Sequence, residues 1–211
     1  VREDTVPGAV VTTVAASDAD AGINADLAFA ILADFSDSTS FGIDAGSGAI
    51  TLLAPLDFEA KRTHTLLVQV SDRGGPGEAA NVVQHTVVMS VTDVNDEPPM
   101  VLQSLLTAAV VVENAPAGTV VAASLGFSDA DATPAFANLS FSTSEPALFA
   151  VVRAAAAGQD AALVVAAGAD IDREVLGDEI TVTVTGSDGV ASAQVTVVVT
   201  IQDVNDNAPV F

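Results

Sequence analysis

DVNDEPP at Asp93–Pro99 returns as DVNDNAP at Asp203–Pro209, 110 residues further along a chain of 211. A motif this specific, repeated at a domain-sized interval, points to a tandem duplication. The rest of the chain agrees. SDAD at Ser17–Asp20 recurs at Ser128–Asp131, an offset of 111, and Glu3 has its partner in Glu113 of VENAPAGTVV, an offset of 110. LDFE at Leu56–Glu59 pairs with IDRE at Ile171–Glu174, and VSDRG around Asp72 with GSDGV around Asp188, at offsets of 115 and 116. Five motifs keep their order with a drift of at most six residues. Two copies of roughly 100 residues follow, a size at which a domain can bury its own core. The expected domains are 1–97 and 98–211, with 203–209 as a linker toward a further copy.

Each copy reads as all-β. HTLLVQV (His64–Val70) and VVQHTVVMSVT (Val82–Thr92) are β-branched runs bounded by Gly, Pro, Asp or Asn. AVVTTVAA (Ala9–Ala16), EITVTVT (Glu179–Thr185) and AQVTVVVTIQ (Ala193–Gln202) are of the same kind. In the last two, Thr alternates with Val, which predicts one buried face and one wet face. Alanine-rich Arg153–Ala157 has helical propensity but is short and flanked by turn residues, so it reads as loop or weak strand. About seven short strands per copy predict a Greek-key, immunoglobulin-like β-sandwich.

The charge narrows the function. There are 28 Asp and Glu against 6 Lys and Arg, a formal net charge of −22. Nucleic-acid binding needs a basic surface, which this chain lacks. Anionic lipid is disfavoured for the same reason. Such a chain attracts cations. It has no Cys, so neither disulfides nor a thiolate zinc site hold the fold. No apolar run reaches the ~18 residues of a transmembrane helix; the longest, around Ala147–Ala157, is broken by Arg153. The chain opens on Val1 without a signal-peptide pattern and is expected to be a piece of a longer protein.

Sixteen of the 28 acidic residues sit at matching positions of the repeated motifs. Carboxylates packed at strand ends repel one another unless a cation neutralises them. Oxygen-only clusters with Asn and backbone carbonyls suit a hard cation, and six to eight ligands on adaptable loops suit calcium better than magnesium. An EF-hand is excluded: with Asp18 as position 1, position 12 is Phe29, where a Glu is required.

These residues resemble a known family. Asp203–Pro209 looks like the interdomain linker of cadherins, and so do Leu56–Glu59, Ile171–Glu174 and Asp18-Ala19-Asp20-Ala21-Gly22-Ile23-Asn24. The resemblance covers the whole chain. It implies tandem seven-stranded sandwiches joined by a calcium-binding linker, with three Ca2+ ions where consecutive repeats meet. Carried over residue by residue, Glu3, Asp57, Glu59 and Asp96 hold the first ion. Glu3, Glu59, Asp93, Asp96, Asp131 and the Val94 carbonyl hold the second. Asn95, Asp129, Asp131, Asp188 and the carbonyls of Glu97 and Asn138 hold the third. Eight carboxylates then face six positive charges, close to balance. The resemblance also implies an upper half-site of Asp18, Asp20, Asn24 and Asp72, and a lower half-site of Glu113, Asp172, Glu174, Asp203, Asn205 and Asp206.

There are three departures from the family pattern. Glu97 and Asp4 stand where Asn is usual, and the second copy lacks a Gly-x-Asn, so that Asn138 serves only after a longer loop. With both half-sites present and no Trp anywhere, the pair is expected to come from the interior of a longer ectodomain.

Other features carry less. Asn138-Leu139-Ser140 is an N-glycosylation sequon. His64 and His85 lie in strand patterns with no third histidine and read as surface residues. On a strand Asp57 and Glu59 would point the same way, which makes a glycosidase acid pair geometrically possible. But the second copy repeats them, and with no Trp or Tyr little is left for a sugar to stack on, so an enzyme is not expected. The expected function is calcium-dependent cell adhesion by the extracellular part of a plasma-membrane protein. Its partners are calcium, neighbouring repeats of the same chain and another cadherin in cis or trans; no nucleic acid or small-molecule substrate is expected. A spacer segment without its own adhesive contact, and a calcium-binding module of a secreted enzyme, are the alternatives.

Overall fold

The computed structural model describes residues 1–33, 37–75, 77, 79–103, 105–153 and 160–210. They group into two compact units, Val1–Val94 and Asn95–Phe211. In the alanine-rich stretch Arg153 ends a strand, and residues 154–157 lie outside the described residues. Among the described residues no helix is long and apolar enough to cross a membrane.

The first unit runs β1 (Val10–Thr13), β2 (Ala28–Ile31), β3 (Phe41–Ile43), β4 (Ala49–Leu52), β5 (Thr63–Ser71) and β6 (Val82–Ser90). Two antiparallel sheets form, β1-β4-β3 and β2-β5-β6. A parallel bridge of Arg2 to Thr92 ties the start of the chain to the segment after β6. Phe41, Ile50 and Leu52 of one sheet pack against Leu66, Val68 and Met89 of the other, which makes a β-sandwich core.

Along β5 the period-two pattern turns His64, Leu66 and Val68 inward and Thr63 and Thr65 outward. The expectation of a surface His64 is therefore corrected. It is buried, edge-on to Phe41 at 5.2 Å, with Nδ1 3.5 Å from Asp37 Oδ2. Burial holds its pKa below the usual value, against the opposing pull of Asp37. His85 is exposed.

The second unit runs β7 (Met100–Val101), β8 (Leu105–Val112), β9 (Val120–Ala122), β10 (Phe127–Ser128), α1 (Pro134–Ala137), β11 (Ser140–Thr143), β12 (Phe149–Arg153), β13 (Ala161–Val165), α2 (Arg173–Leu176), β14 (Glu179–Ser187) and β15 (Ser192–Gln202). Sheet β11-β14-β15-β8 faces sheet β12-β13-β9, and β10 pairs with β7. β8 runs parallel to β15. The Thr–Val alternation works as the pattern requires. Val182 and Val184 of β14 and Val195, Val197, Val199 and Ile201 of β15 are buried, packing with Phe149, Leu163 and Val165.

Candidate metal centre

Each unit builds the same clasp around one buried glutamate. Glu3 Oε2 accepts the Phe58 amide at 2.5 Å and Oε1 the Val94 amide at 2.7 Å. In the second unit Glu113 Oε2 accepts the Arg173 amide at 2.9 Å, and Oε1 accepts the amide of Val204. The glutamate is placed by the end of the last strand or the residues just after it, since the Glu3 amide donates to the carbonyl of Thr92, two residues past β6, and the Glu113 amide to that of Gln202, the last residue of β15. One carboxylate therefore ties the Asp-x-Glu turn to the DVND segment. The Arg173 amide first, then that of Val204, holds the Glu113 carboxyl below its usual range.

The clasp gathers further carboxylates. Oxygens of Glu3, Glu59 and Asp93 lie within 4.8 Å of one another, and so do those of Glu113, Glu174 and Asp203. Burial first, and then the Glu113 charge, push the Glu174 carboxyl up, as like charges held together require. Asp57 and Asp172 brace the turns. Asp57 Oδ1 accepts the Ala60 amide at 2.7 Å, and Asp172 caps α2 by accepting the Val175 amide at 3.1 Å.

At the other end of the second unit Asp129, Asp131 and Asp188 bring oxygens within 4.8 Å of one another. Asp129 Oδ1 accepts the Asp131 amide at 3.0 Å, which folds SDAD into a tight loop. Asp188 Oδ1 accepts the amides of Val190 and Ala191, each at 2.6 Å. The Glu97 amide donates to Asp131 Oδ1 at 3.4 Å. With its amide oriented to suit its neighbours, Asn95 donates to Asp188 Oδ2 at 3.1 Å and Asp131 Oδ2 at 3.3 Å. Asp96 is exposed, with an oxygen within 4.8 Å of one of Asp131. Asn138 caps the C-terminus of α1 and is exposed, between buried Ala137 and Leu139.

The matching end of the first unit is looser. Asp20 donates its amide to Asp18 Oδ1 at 2.8 Å, the same loop as in the second unit. Asn24 sits in a 3-10 turn, Gly22–Ala25. Asp72 is buried and accepts the Asn81 side-chain amide at 2.8 Å, the Asn81 backbone amide at 2.9 Å and the Gly74 amide at 3.0 Å. The Asn81 side chain first, then its backbone amide, lowers the Asp72 pKa. Among the described residues, Asp18, Asp20 and Asp72 form no three-carboxylate cluster.

Sequence reasoning missed several partners. Asn81 locks Asp72, and Asn114, at φ 60°, donates to Asp206 Oδ2 at 2.6 Å. Asp4, the counterpart of Asn114, has no side-chain amide to donate, and its carboxylate instead pairs with Arg2 at 2.8 Å. Asp203, Asn205 and Asp206 are exposed. Every donor atom in these clusters is oxygen, carboxylate or amide, so the residues fit a hard divalent cation, and calcium in particular.

Comparison with known proteins agrees with this construction. Residues 1–92 match the family model of the cadherin domain. Over its whole length the chain is 37% identical to mouse (Mus musculus) Protocadherin Fat 4, of which it spans 4%. It superposes on the crystal structure of mouse Cadherin-23 EC22-24 with a TM-score of 0.79, at 25% identity, covering 98% of this chain and 63% of that one. The protocadherin gammaB7 EC3-6 cis-dimer structure matches all of this chain and 46% of its own, at 28% identity and a TM-score of 0.74. The Glu clasp and the sandwich that carries it occur in both halves of a sequence whose whole length aligns with a small part of a protocadherin, and the chain belongs to the cadherin family.

Proposed function

We propose that residues 1–97 and 98–211 are consecutive cadherin repeats in the extracellular part of a plasma-membrane adhesion protein, and that calcium at their linker sets the angle between them. The observation that carries this is the pairing of oxygen-only clusters with a continuous linker. Asp93 belongs to the cluster of Glu3 and Glu59, and Asn95, two residues on, reaches the cluster of Asp131 and Asp188. Two residues of extended chain span at most about 7 Å, so covalent continuity keeps the two clusters' linker members close.

Three ions fit this ligand supply. Glu3, Asp57, Glu59, Asp93 and Asp96 serve the first two with Asp131 and the Val94 carbonyl. Asn95, Asp129, Asp131, Asp188 and the carbonyls of Glu97 and Asn138 serve the third. The upper and lower half-sites serve neighbouring repeats in the same way. Calcium would supply positive charge and bind several oxygens at once; the chain supplies prearranged oxygens. Without calcium the carboxylates repel and the linker becomes a hinge. Adhesion, by contact with another cadherin in cis or trans, is then the activity of the longer protein.

Small-angle scattering with calcium and with chelator tests this. Chelation is expected to shorten the average particle and lower its melting temperature. Scattering curves that superimpose in the two conditions would rule the reading out. The affinity expected is about 10⁻⁴–10⁻³ M, as for extracellular modules.

A further inference from the structure

The two Asp-x-Glu turns differ at their middle residue, and the difference is one of charge. In the first unit it is Phe58, which packs on the apolar core beneath the Arg62 guanidinium. In the second it is Arg173, which turns toward carboxylates. Nη1 lies 2.7 Å from Asp178 Oδ1, Nε 3.2 Å from Asp203 Oδ1 and Nη2 3.5 Å from Glu174 Oε1. Glu174 and Asp203 are two of the three members of the Glu113 cluster. A guanidinium keeps its proton at any working pH, and Asp178 and Asp203 hold this one more firmly still.

We propose that Arg173 is a resident counter-cation of the Glu113–Glu174–Asp203 cluster and competes with calcium for its carboxylates. This cluster then takes calcium more weakly than Glu3–Glu59–Asp93, whose corresponding side chain is uncharged. It also keeps its shape better when calcium is withdrawn. The proposal rests on the calcium reading above. The physics is direct. A divalent ion entering the cluster must displace the guanidinium from Glu174 and Asp203 or tolerate a like charge beside it. A unit charge about 6 Å from a divalent ion in a watery environment changes affinity about tenfold.

The clasp provides its own reporters, because the Val94 amide donates to Glu3 and the Val204 amide to Glu113. In a calcium titration of the full 211-residue chain followed by amide NMR, these two signals read the two clusters separately. Arg173→Gln, which removes the charge but keeps a polar side chain, is expected to lower the Val204 midpoint about tenfold and leave Val94 unmoved. Arg173→Lys keeps the charge and is expected to stay near the wild-type midpoint. In chelator, Arg173→Gln is expected to reduce hydrogen-exchange protection at Val204, and Arg173→Lys to preserve most of it.

A Val204 midpoint that is unchanged or higher in Arg173→Gln overturns the proposal. So do Gln and Lys variants that move alike, since that is what a packing role gives. Failure of the calcium reading looks different: neither Val94 nor Val204 shifts with calcium in any variant, and both conclusions fall together.

Discussion

The Asp160 carboxylate accepts four hydrogen bonds inside the second unit. Its donors are Ser124 Oγ at 2.5 Å and the amides of Ala161, Phe127 and Leu125 at 2.7, 3.1 and 3.2 Å. Asp160→Ala takes this acceptor from the buried Phe127 and Ala161 amides, while the Leu125 amide keeps the Ala161 carbonyl at 2.9 Å and exposed Ser124 can turn to water, so it is expected to destabilise the second unit by about 2–4 kcal/mol. Urea unfolding read on that unit checks this; a loss below about 1 kcal/mol contradicts it. Burial pushes this carboxyl up, but Ser124 and the amides more than offset it, so its pKa lies below the ordinary value. The sign follows. Below the unfolded value of about 3.9 the unfolded chain binds the proton first, so stability falls as pH drops toward the folded pKa. The difference between wild type and Asp160→Ala is expected to be flat from about pH 5 to 7 and to shrink below about pH 4. Asp160 was invisible in the sequence because it belongs to no repeated motif. Residues such as Glu3, Asp131 and Asp188 were legible because duplication set them apart from the acidic background. Asn81 and Asn114 were not, since a hydrogen-bond partner 9 or 92 residues away leaves no local signature.

At the scale of elements, strands with a clean alternation were readable and single turns were not. β14 and β15 follow their Thr–Val pattern. Each helical turn is four residues long, far below the length at which propensity alone sustains a helix. What holds α2 is the Asp172 cap and the Arg173 amide bonded to Glu113. β1 stops at Thr13, short of the expected Ala16; one residue on, the Val14 amide still donates to the Gly48 carbonyl at 2.9 Å, which holds the end of β1 against the turn before β4. Gly48 has φ +71°, and a Cβ there would stand 2.3 Å from the Val14 carbonyl oxygen. The backbone must therefore move to admit any side chain. Gly48→Ala is expected to cost the first unit about 2–4 kcal/mol, through the left-handed φ and the broken crossing together. Thermal unfolding of the first unit measures it. A variant as stable as wild type would mean that β1 and β4 can separate at this point without loss.

At the scale of the whole molecule the governing quantity is the net charge of −22. Such a charge destabilises any compact state by self-repulsion, and ordinary salt relieves it by screening. Calcium could act as a diffuse counter-ion of this kind or as a ligand of built sites, and ionic strength separates the two. About 3 mM calcium chloride and about 9 mM sodium chloride have the same ionic strength, at which the Debye length is still about 30 Å and screening is slight. A site with a dissociation constant of about 10⁻⁴ M gains about 2 kcal/mol at that calcium concentration by mass action. For units of this size, 2 kcal/mol corresponds to a rise in melting temperature of about 10 °C. The expected result is thus a rise of that order with calcium chloride and less than about 1 °C with the matched sodium chloride. Magnesium chloride at the same concentration is expected to fall between them, because Mg2+ demands octahedral geometry and sheds its waters reluctantly. Equal shifts from calcium and matched sodium would reduce the clusters to a diffuse acidic field. A large shift with calcium alone requires that the oxygens gathered by Glu3, Asp131 and their neighbours act as ligands.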